Sequence, residues 1–283
     1  MPPGVPKRVG ELRRSSPGNM VNTQQLKAFI KGRLGSERCA GLKRMVRKAR
    51  PFCGIFVRLL FGRNLSMLAR IWGTDKVGSH NYIVHYQKFF QPLRRKRLKI
   101  LEIGIGGYDS PSEGGQSLRM WKCFFKNSRI YGLDIWDKNE MSENRITIIR
   151  GSQADAAFLT SLSQQHGPFD IIIDDGSHRN EHVIISFKAL FPLLKTGGIY
   201  VVEDTQTAYW SEYGGGITPA AETSMTFFKK LVDGLNYEEY ELESYTPSET
   251  DKSIVSIYFA HNLIFIGKGN NTEGSNMLGK RWS

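Results

Sequence analysis

The chain has 283 residues, 40% of them hydrophobic, which is enough for one sizeable core and an appendage. Three cysteines (Cys39, Cys53 and Cys123) with no CxxC pair exclude a disulfide framework and a zinc knuckle, and fit a reducing, cytoplasmic compartment. The net charge of +12 is unevenly held: residues 1–100 carry 23 Lys or Arg against 3 acids, and the rest carries 16 against 24.

In chain order, residues 1–20 are rich in Pro, Gly, Ser and Arg and read as a disordered tail, with Met20 as an alternative start. Residues 21–72 repeat apolar side chains at helical spacing among many arginines, as in LKAFIKGRLG and VRLLFGRNLSMLARIW, and predict a short region of basic amphipathic helices. Arg58, Arg63 and Arg70 interrupt its most apolar stretch, which excludes a membrane span and a signal-peptide core there. Such helices suit a nucleic-acid or anionic-membrane surface, or an accessory layer with a solvated charged face. The lack of interleaved aromatics favours the accessory layer.

After Arg97 strands alternate with helices. Strands are predicted at 98–105, 129–136, 146–151, 169–175 and 198–204, and helices at 117–126, 155–166 and 180–195. Apolar runs buried on both faces and separated by helices imply an α/β sandwich with a mostly parallel sheet. Near the C-terminus YEEYELESY and SIVSIYFAHNLIFIGKG read as strands, with a tight turn at His261-Asn262 that makes an antiparallel hairpin added to the sheet.

In an open parallel sheet ligands bind at the carboxyl ends of the strands. The first strand ends in Glu102, Gly104, Gly106 and Gly107, where missing side chains let a ligand approach the backbone. The spacing is not G-x-G-x-x-G, because Asp109 stands where the third glycine belongs. Helix onset is also delayed to about Ser117, too late to cradle a pyrophosphate. The second strand ends in Asp134, whose carboxylate can accept both hydroxyls of a ribose. Together these point to an adenosine ligand without a diphosphate.

The stretches WGTDKVGSHNY, LEIGIGGYDSPSEGGQSLRMWK, GLDIWDK and DIIIDDGSHRNEHVIISFKALFPLLKTGGIYVVEDTQTAYW occur in that order. Over roughly residues 70–265 the chain resembles the class I S-adenosylmethionine-dependent methyltransferases, in particular the mycinamicin and macrocin (macrolide sugar) O-methyltransferase group. The resemblance implies a Rossmann-like catalytic domain over 73–283. It also implies that Glu102 through Tyr108 wrap the methionine part of the cofactor, that Ser117 caps the next helix beside it, that Asp134 holds the ribose, and that Ser152 and Gln153 border the adenine. Larger members of the group carry a longer auxiliary domain that helps build the oligomer; the region here is short and basic, a departure from that pattern that bears on quaternary structure and acceptor access. A homo-oligomer is the partner expectation that the resemblance carries.

Asp175 ends the fourth strand, Glu203 and Asp204 end the fifth, and the two strand ends should lie side by side. Three carboxylates in one place repel one another unless a cation joins them, and oxygen ligation favours Mg²⁺. Asp175 lies where the cofactor and metal sites meet and is assigned to both. Asp174 points to the other side of its strand and takes a supporting role. His178, in the loop beyond Asp175, is the expected general base, as the resemblance also implies, while His182 is an ordinary polar residue. The segment TQTAYWSEYGGGITPAAETS has the glycines of a mobile loop and, in Tyr209, Trp210 and Tyr213, aromatics that pack on sugar or polyketide faces; it reads as an acceptor lid.

The expected function is transfer of a methyl group from S-adenosylmethionine, with Mg²⁺, to a sugar hydroxyl on a macrolide-like glycosylated small molecule. Other hydroxyl acceptors are a sugar nucleotide, a cell-surface glycan or a catechol-like diol. From a different class, the basic N-terminal third would mark a nucleic-acid- or membrane-binding protein with a regulatory α/β domain. The acidic balance of the strand-rich part argues against nucleic acid as a partner.

Overall fold

The structure is a computed structural model that describes residues 57–217, 222–242 and 244–275. The expected disordered tail and the basic helical region up to residue 56 lie outside the described residues. A compact unit runs from Gly54 to Ser283.

Its centre is a seven-stranded sheet of β1 (Lys99–Ile103), β2 (Arg129–Asp134), β3 (Ile146–Arg150), β4 (Ile171–Asp174), β5 (Ile199–Glu203), β6 (Ile254–Ala260) and β7 (Leu263–Lys268). The strand order is β3-β2-β1-β4-β5-β7-β6. The first five strands are parallel, and β7 runs antiparallel to both β5 and β6. Asn262, in the left-handed region at φ 61, turns the terminal hairpin where the sequence places it.

Side-chain alternation along each strand divides the core into two layers. Ile100, Ile130, Ile171, Ile173 and Val201 face helices α1 (Leu65–Trp72), α2 (Ile83–Phe90) and α3 (Gln116–Phe124), against Leu65, Tyr86, Phe90 and Trp121. Leu101, Leu133, Ile172, Tyr200 and Val202 face the opposite layer of α4 (Ala156–His166), α5 (Asn180–Leu190) and α6 (Ser224–Leu235), against Leu159, Phe187 and Phe228. Helix α1 buries Leu65, Leu68 and Ala69 completely, so this stretch of the basic segment is part of the sheet's own core.

Within 57–72, Asn64 accepts a hydrogen bond from the Met67 amide and starts α1 afresh. Two local expectations are corrected. The fifth-strand crossover helix stops at Leu190 rather than 195, since Pro192 cannot continue it. YEEYELESY is not a strand; Tyr237–Glu239 is a 3-10 turn, and Tyr240 packs edge-on against Tyr245 at 4.7 Å, a local contact made in place of a ladder. A short helix α7 (Glu249–Ser253), closed by a capping box of Ser248 and Asp251, then leads into β6.

Because β1 lies between β2 and β4, connections leave it in opposite directions and a crevice opens beyond its carboxyl end. That crevice positions the site.

Candidate active site

A cavity of about 620 Å³ opens at these strand ends, walled by the loops after β1, β2, β3, β4 and β5. The β1 loop is held from several sides. Gly104 has φ +80, and its amide donates to the Leu133 carbonyl. A Cβ built on Gly104 would lie 2.0 Å from the Asp175 carbonyl oxygen, so the loop after β1 passes hard against the loop after β4. A Cβ on Gly106, by contrast, meets nothing within 4 Å. The far side of the loop is fastened by Lys138, fully buried, whose ammonium donates to the Ser110 carbonyl at 2.6 Å and the Glu113 carbonyl at 3.1 Å. Gly107 and Tyr108 complete the wall, and Tyr108 is 88% exposed at the rim.

Two expected cofactor residues, Ser117 and Glu102, take other places. Ser117 does not cap the helix: Gly115 is the cap residue and makes no side-chain bond, and α3 has already begun at Gln116. Glu102 is fully buried and does not line the cavity. It projects to the α1–α3 side of β1, accepts from the Trp121 indole at 3.1 Å, and is pushed up to about 7 by burial, against the pull of Lys76 and the hydrogen bonds of Ser117 and Trp121. Gln153 lines the cavity, but its amide is engaged: it donates to Asp174 at 3.0 Å and accepts from the Ser177 amide at 2.6 Å. Asp134 and Ser152 do stand in the wall. Asp134 accepts from the Trp136 amide at 2.9 Å and from the Ile105 amide at 3.2 Å, which ties the β2 end to the glycine loop.

Asp174 and Asp175 diverge as expected. Asp174 is buried on the α5 side, where Ser186, Gln153 and Tyr200 donate to it; burial pushes it up to about 6, and the Ser186 and Gln153 bonds pull it down. Asp175 faces the cavity. With β4 and β5 paired in parallel, Asp175, His178 and Asp204 each bring a ligand atom within 4.8 Å of the others. Both His178 (φ 57) and Asp204 (φ 54) adopt left-handed backbone, an uncommon conformation that functional sites often hold. His178 Nε2 lies 3.7 Å from Asp204 Oδ2, and Thr207 Oγ1 donates to the His178 carbonyl.

Glu203 is not one of the three converging groups. As the last residue of β5 it projects with Val201 to the α1–α3 side, where Oε1 accepts from Lys76 at 2.7 Å and from Tyr86 at 2.5 Å. His182 pairs with Ser177 at 2.9 Å. Thr205–Tyr209 and Ser211–Tyr213 form 3-10 turns beyond Asp204; Tyr209 and Trp210 are half-exposed, and Tyr213 reaches the cavity.

Lys76 and Tyr82 from the segment WGTDKVGSHNY, and Tyr86 just beyond it, enter the acidic cluster, a role not legible in the sequence motifs. Burial alone would lower the Lys76 ammonium, but Asp175, Glu203 and Glu102 outweigh it and hold the group charged, well above the usual lysine range. The available signal was the i, i+4 spacing of Tyr82 and Tyr86, which puts two phenols on one helix face.

A methyltransferase-domain family matches residues 112–205. Demethylmacrocin O-methyltransferase of Streptomyces fradiae is 48% identical over 215 residues, 75% of this chain and 54% of its own length. The 8-demethyl-8-alpha-L-rhamnosyl tetracenomycin-C 2'-O-methyltransferase of Streptomyces olivaceus is 44% identical over 209 residues, 74% of this chain and 55% of that protein. Among solved structures, the MycE methyltransferase of the mycinamycin biosynthetic pathway, in complex with Mg, SAH and mycinamycin VI, superimposes with a TM-score of 0.73 at 44% identity, covering 77% of this chain and 57% of the other. The chain carries a methyltransferase domain, similar to those of the macrocin and mycinamicin O-methyltransferases. It spans about half the length of the relatives it matches. Within this methyltransferase domain the glycine loop, Asp134 and the Asp175–His178–Asp204 group lie on one crevice. Among the described residues no helix is long and apolar enough to cross a membrane.

Proposed function

We propose that the chain is a Mg²⁺- and S-adenosylmethionine-dependent O-methyltransferase that acts on a sugar hydroxyl of a glycosylated natural product. The observation that carries this reading is the convergence of Asp175, His178 and Asp204 within 4.8 Å, beside a glycine-lined cavity of nucleoside dimensions. The relatives support the acceptor class, being O-methyltransferases named for demethylmacrocin and a rhamnosyl tetracenomycin, and a structure holding mycinamycin VI.

The residues fit both groups. Gly106 leaves open space where any side chain would intrude, and Asp134 sits on the same wall, so the β1 loop and Asp134 would hold the adenosyl and methionine parts. Asp175 and Asp204 offer the hard oxygen donors that suit Mg²⁺, which leaves the softer imidazole of His178 for proton transfer. When bound, the cation supplies Lewis-acid polarisation of the acceptor oxygen, and S-adenosylmethionine supplies the methyl group.

A sugar hydroxyl is a weak nucleophile at neutral pH. His178 takes its proton at Nε2, and the Asp204 carboxylate 3.7 Å away stabilises the imidazolium that results. The Thr207 bond to the His178 carbonyl orients that loop, and the half-exposed rings of Tyr209 and Trp210 offer a face for the sugar or its aglycone. The test is incubation with S-adenosylmethionine, Mg²⁺ and a panel of polyketide glycosides, read by mass spectrometry. A gain of one methyl group on the sugar fragment supports the reading. Methylation confined to nucleotides, catechols or nucleic acid would replace the acceptor class.

A further inference from the structure

The segment WGTDKVGSHNY, residues 72–82, links α1 to α2. Three of its side chains reach the carboxylates at the ends of β4 and β5: Lys76, Tyr82 and His80, whose Nδ1 lies 3.6 Å from Asp204 Oδ1. Lys76 is 1% exposed, and its Nζ lies 2.7 Å from Asp175 Oδ2, 2.7 Å from Glu203 Oε1 and 3.6 Å from Glu102 Oε1. Tyr82, buried at the start of α2 and stacked on His80, donates to Asp204 Oδ1 at 2.6 Å. An ammonium is removed from water this completely only where anions surround it. One oxygen on each of the three carboxylates is therefore taken from the side of the N-terminal helices. Asp175 and Asp204 also line the cavity, and each has a second oxygen to offer a cation there.

We propose that Lys76 and Tyr82 are positioning residues for the divalent-cation site, holding Asp175 and Asp204 in the orientation that the cation requires, with Lys76 braced from behind by Glu203. The proposal rests on the metal-dependent reading above. It makes a prediction of sign. An ammonium 2.7 Å from Asp175 repels a nearby divalent cation, so if orientation were irrelevant its removal would tighten Mg²⁺ binding. If Lys76 orients the carboxylates, its removal lets them repel one another and turn apart, and Mg²⁺ binding weakens.

The experiment is calorimetric titration of Mg²⁺ into the native protein, Tyr82→Phe and Lys76→Ala, each saturated with S-adenosylhomocysteine, whose own affinity is measured in parallel. Tyr82→Phe removes a single hydroxyl and should raise the Mg²⁺ dissociation constant about 10-fold, the effect of one lost bond to a charged group. Lys76→Ala should raise it at least as much, and added ethylammonium should restore part of the loss. Cofactor affinity should stay near native in both, which a merely structural role would not ensure. Should Lys76→Ala fail to fold, Tyr82→Phe decides alone. Unchanged or tighter Mg²⁺ binding in either folded variant overturns the proposal. A native protein that binds no Mg²⁺ overturns the metal-dependent reading itself, a result distinct from failure of the positioning role.

Discussion

Gly104 packs so tightly against Asp175 that the loop after β1 and the loop after β4 behave as one piece: a Cβ at Gly104 would stand 2.0 Å from the Asp175 carbonyl oxygen. The glycine is required by a neighbouring backbone and not, as the sequence suggested, by the volume of a ligand. Gly104→Ala should cost about 2–4 kcal/mol of stability, combining left-handed strain with an overpacked contact. Gly106→Ala faces open space and should cost only about 1–2 kcal/mol, the strain alone. Its larger effect should fall on cofactor binding. Chemical denaturation and S-adenosylhomocysteine calorimetry on both variants check the contrast, and equal losses of stability would contradict it.

Asp134 joins the β2 end to the glycine loop through the Ile105 amide and shares the wall with Gly106. Asp134→Ala should weaken S-adenosylhomocysteine binding by about 1.5–3 kcal/mol, the range for a bond to a charged group. Asp134→Asn keeps an acceptor for the Ile105 amide and should lose less. Native affinity in the alanine variant, measured by calorimetry, would remove Asp134 from the cofactor site.

Asp174 gives stability a pH dependence. Its folded value of about 6 lies above the ordinary 3.8, because burial penalises the carboxylate more than Ser186 and Gln153 relieve it. A carboxyl raised on folding contributes stability that is complete below the unfolded value and is lost as pH rises through the folded one. Asp174→Asn, which removes the titration and can keep the bonds to Gln153 and Ser186, should therefore gain stability relative to the native protein as pH rises from about 4 to about 6. Denaturation curves across that window test it; a constant difference would mean that Asp174 is not the group responsible.

Much of this arrangement is legible in the sequence. The parallel strands are runs such as KILEI and IIID, buried on both faces, and the punctuation after them, Gly104, Asp175 and Asp204, marks the carboxyl ends where the crevice forms. What was not legible depends on which face of a strand a side chain takes next to its long-range partners. Glu203 and Asp204 are neighbours in sequence, yet Glu203 leaves β5 toward Lys76 and Tyr86 while Asp204, in left-handed backbone, converges with Asp175 and His178. Lys76 is 99 residues from Asp175 and 127 from Glu203, and no local pattern distinguishes a lysine that enters such a cluster from a solvated one. Gln153 and Ser117 sit close to where they were expected, but the amide of the first is engaged by Asp174 and Ser177, and the second follows a glycine cap.

His178 separates proton transfer from metal binding. His178→Ala should leave Mg²⁺ and S-adenosylhomocysteine affinities near native while the methyl-transfer rate falls about 10²–10⁴-fold, the usual share of a general base. Partial recovery at high pH is expected as hydroxide takes over. Loss of Mg²⁺ affinity in this variant would make His178 a ligand, as its place in the three-residue group also allows.

The most direct test of the account is the metal dependence of methyl transfer to a glycoside acceptor. Protein stripped with EDTA should transfer no methyl group, Mg²⁺ should restore the native rate, and Asp175→Ala or Asp204→Ala should need much more Mg²⁺ or remain inactive. A native rate in the presence of EDTA would contradict the carboxylate-held cation and require a metal-free mechanism.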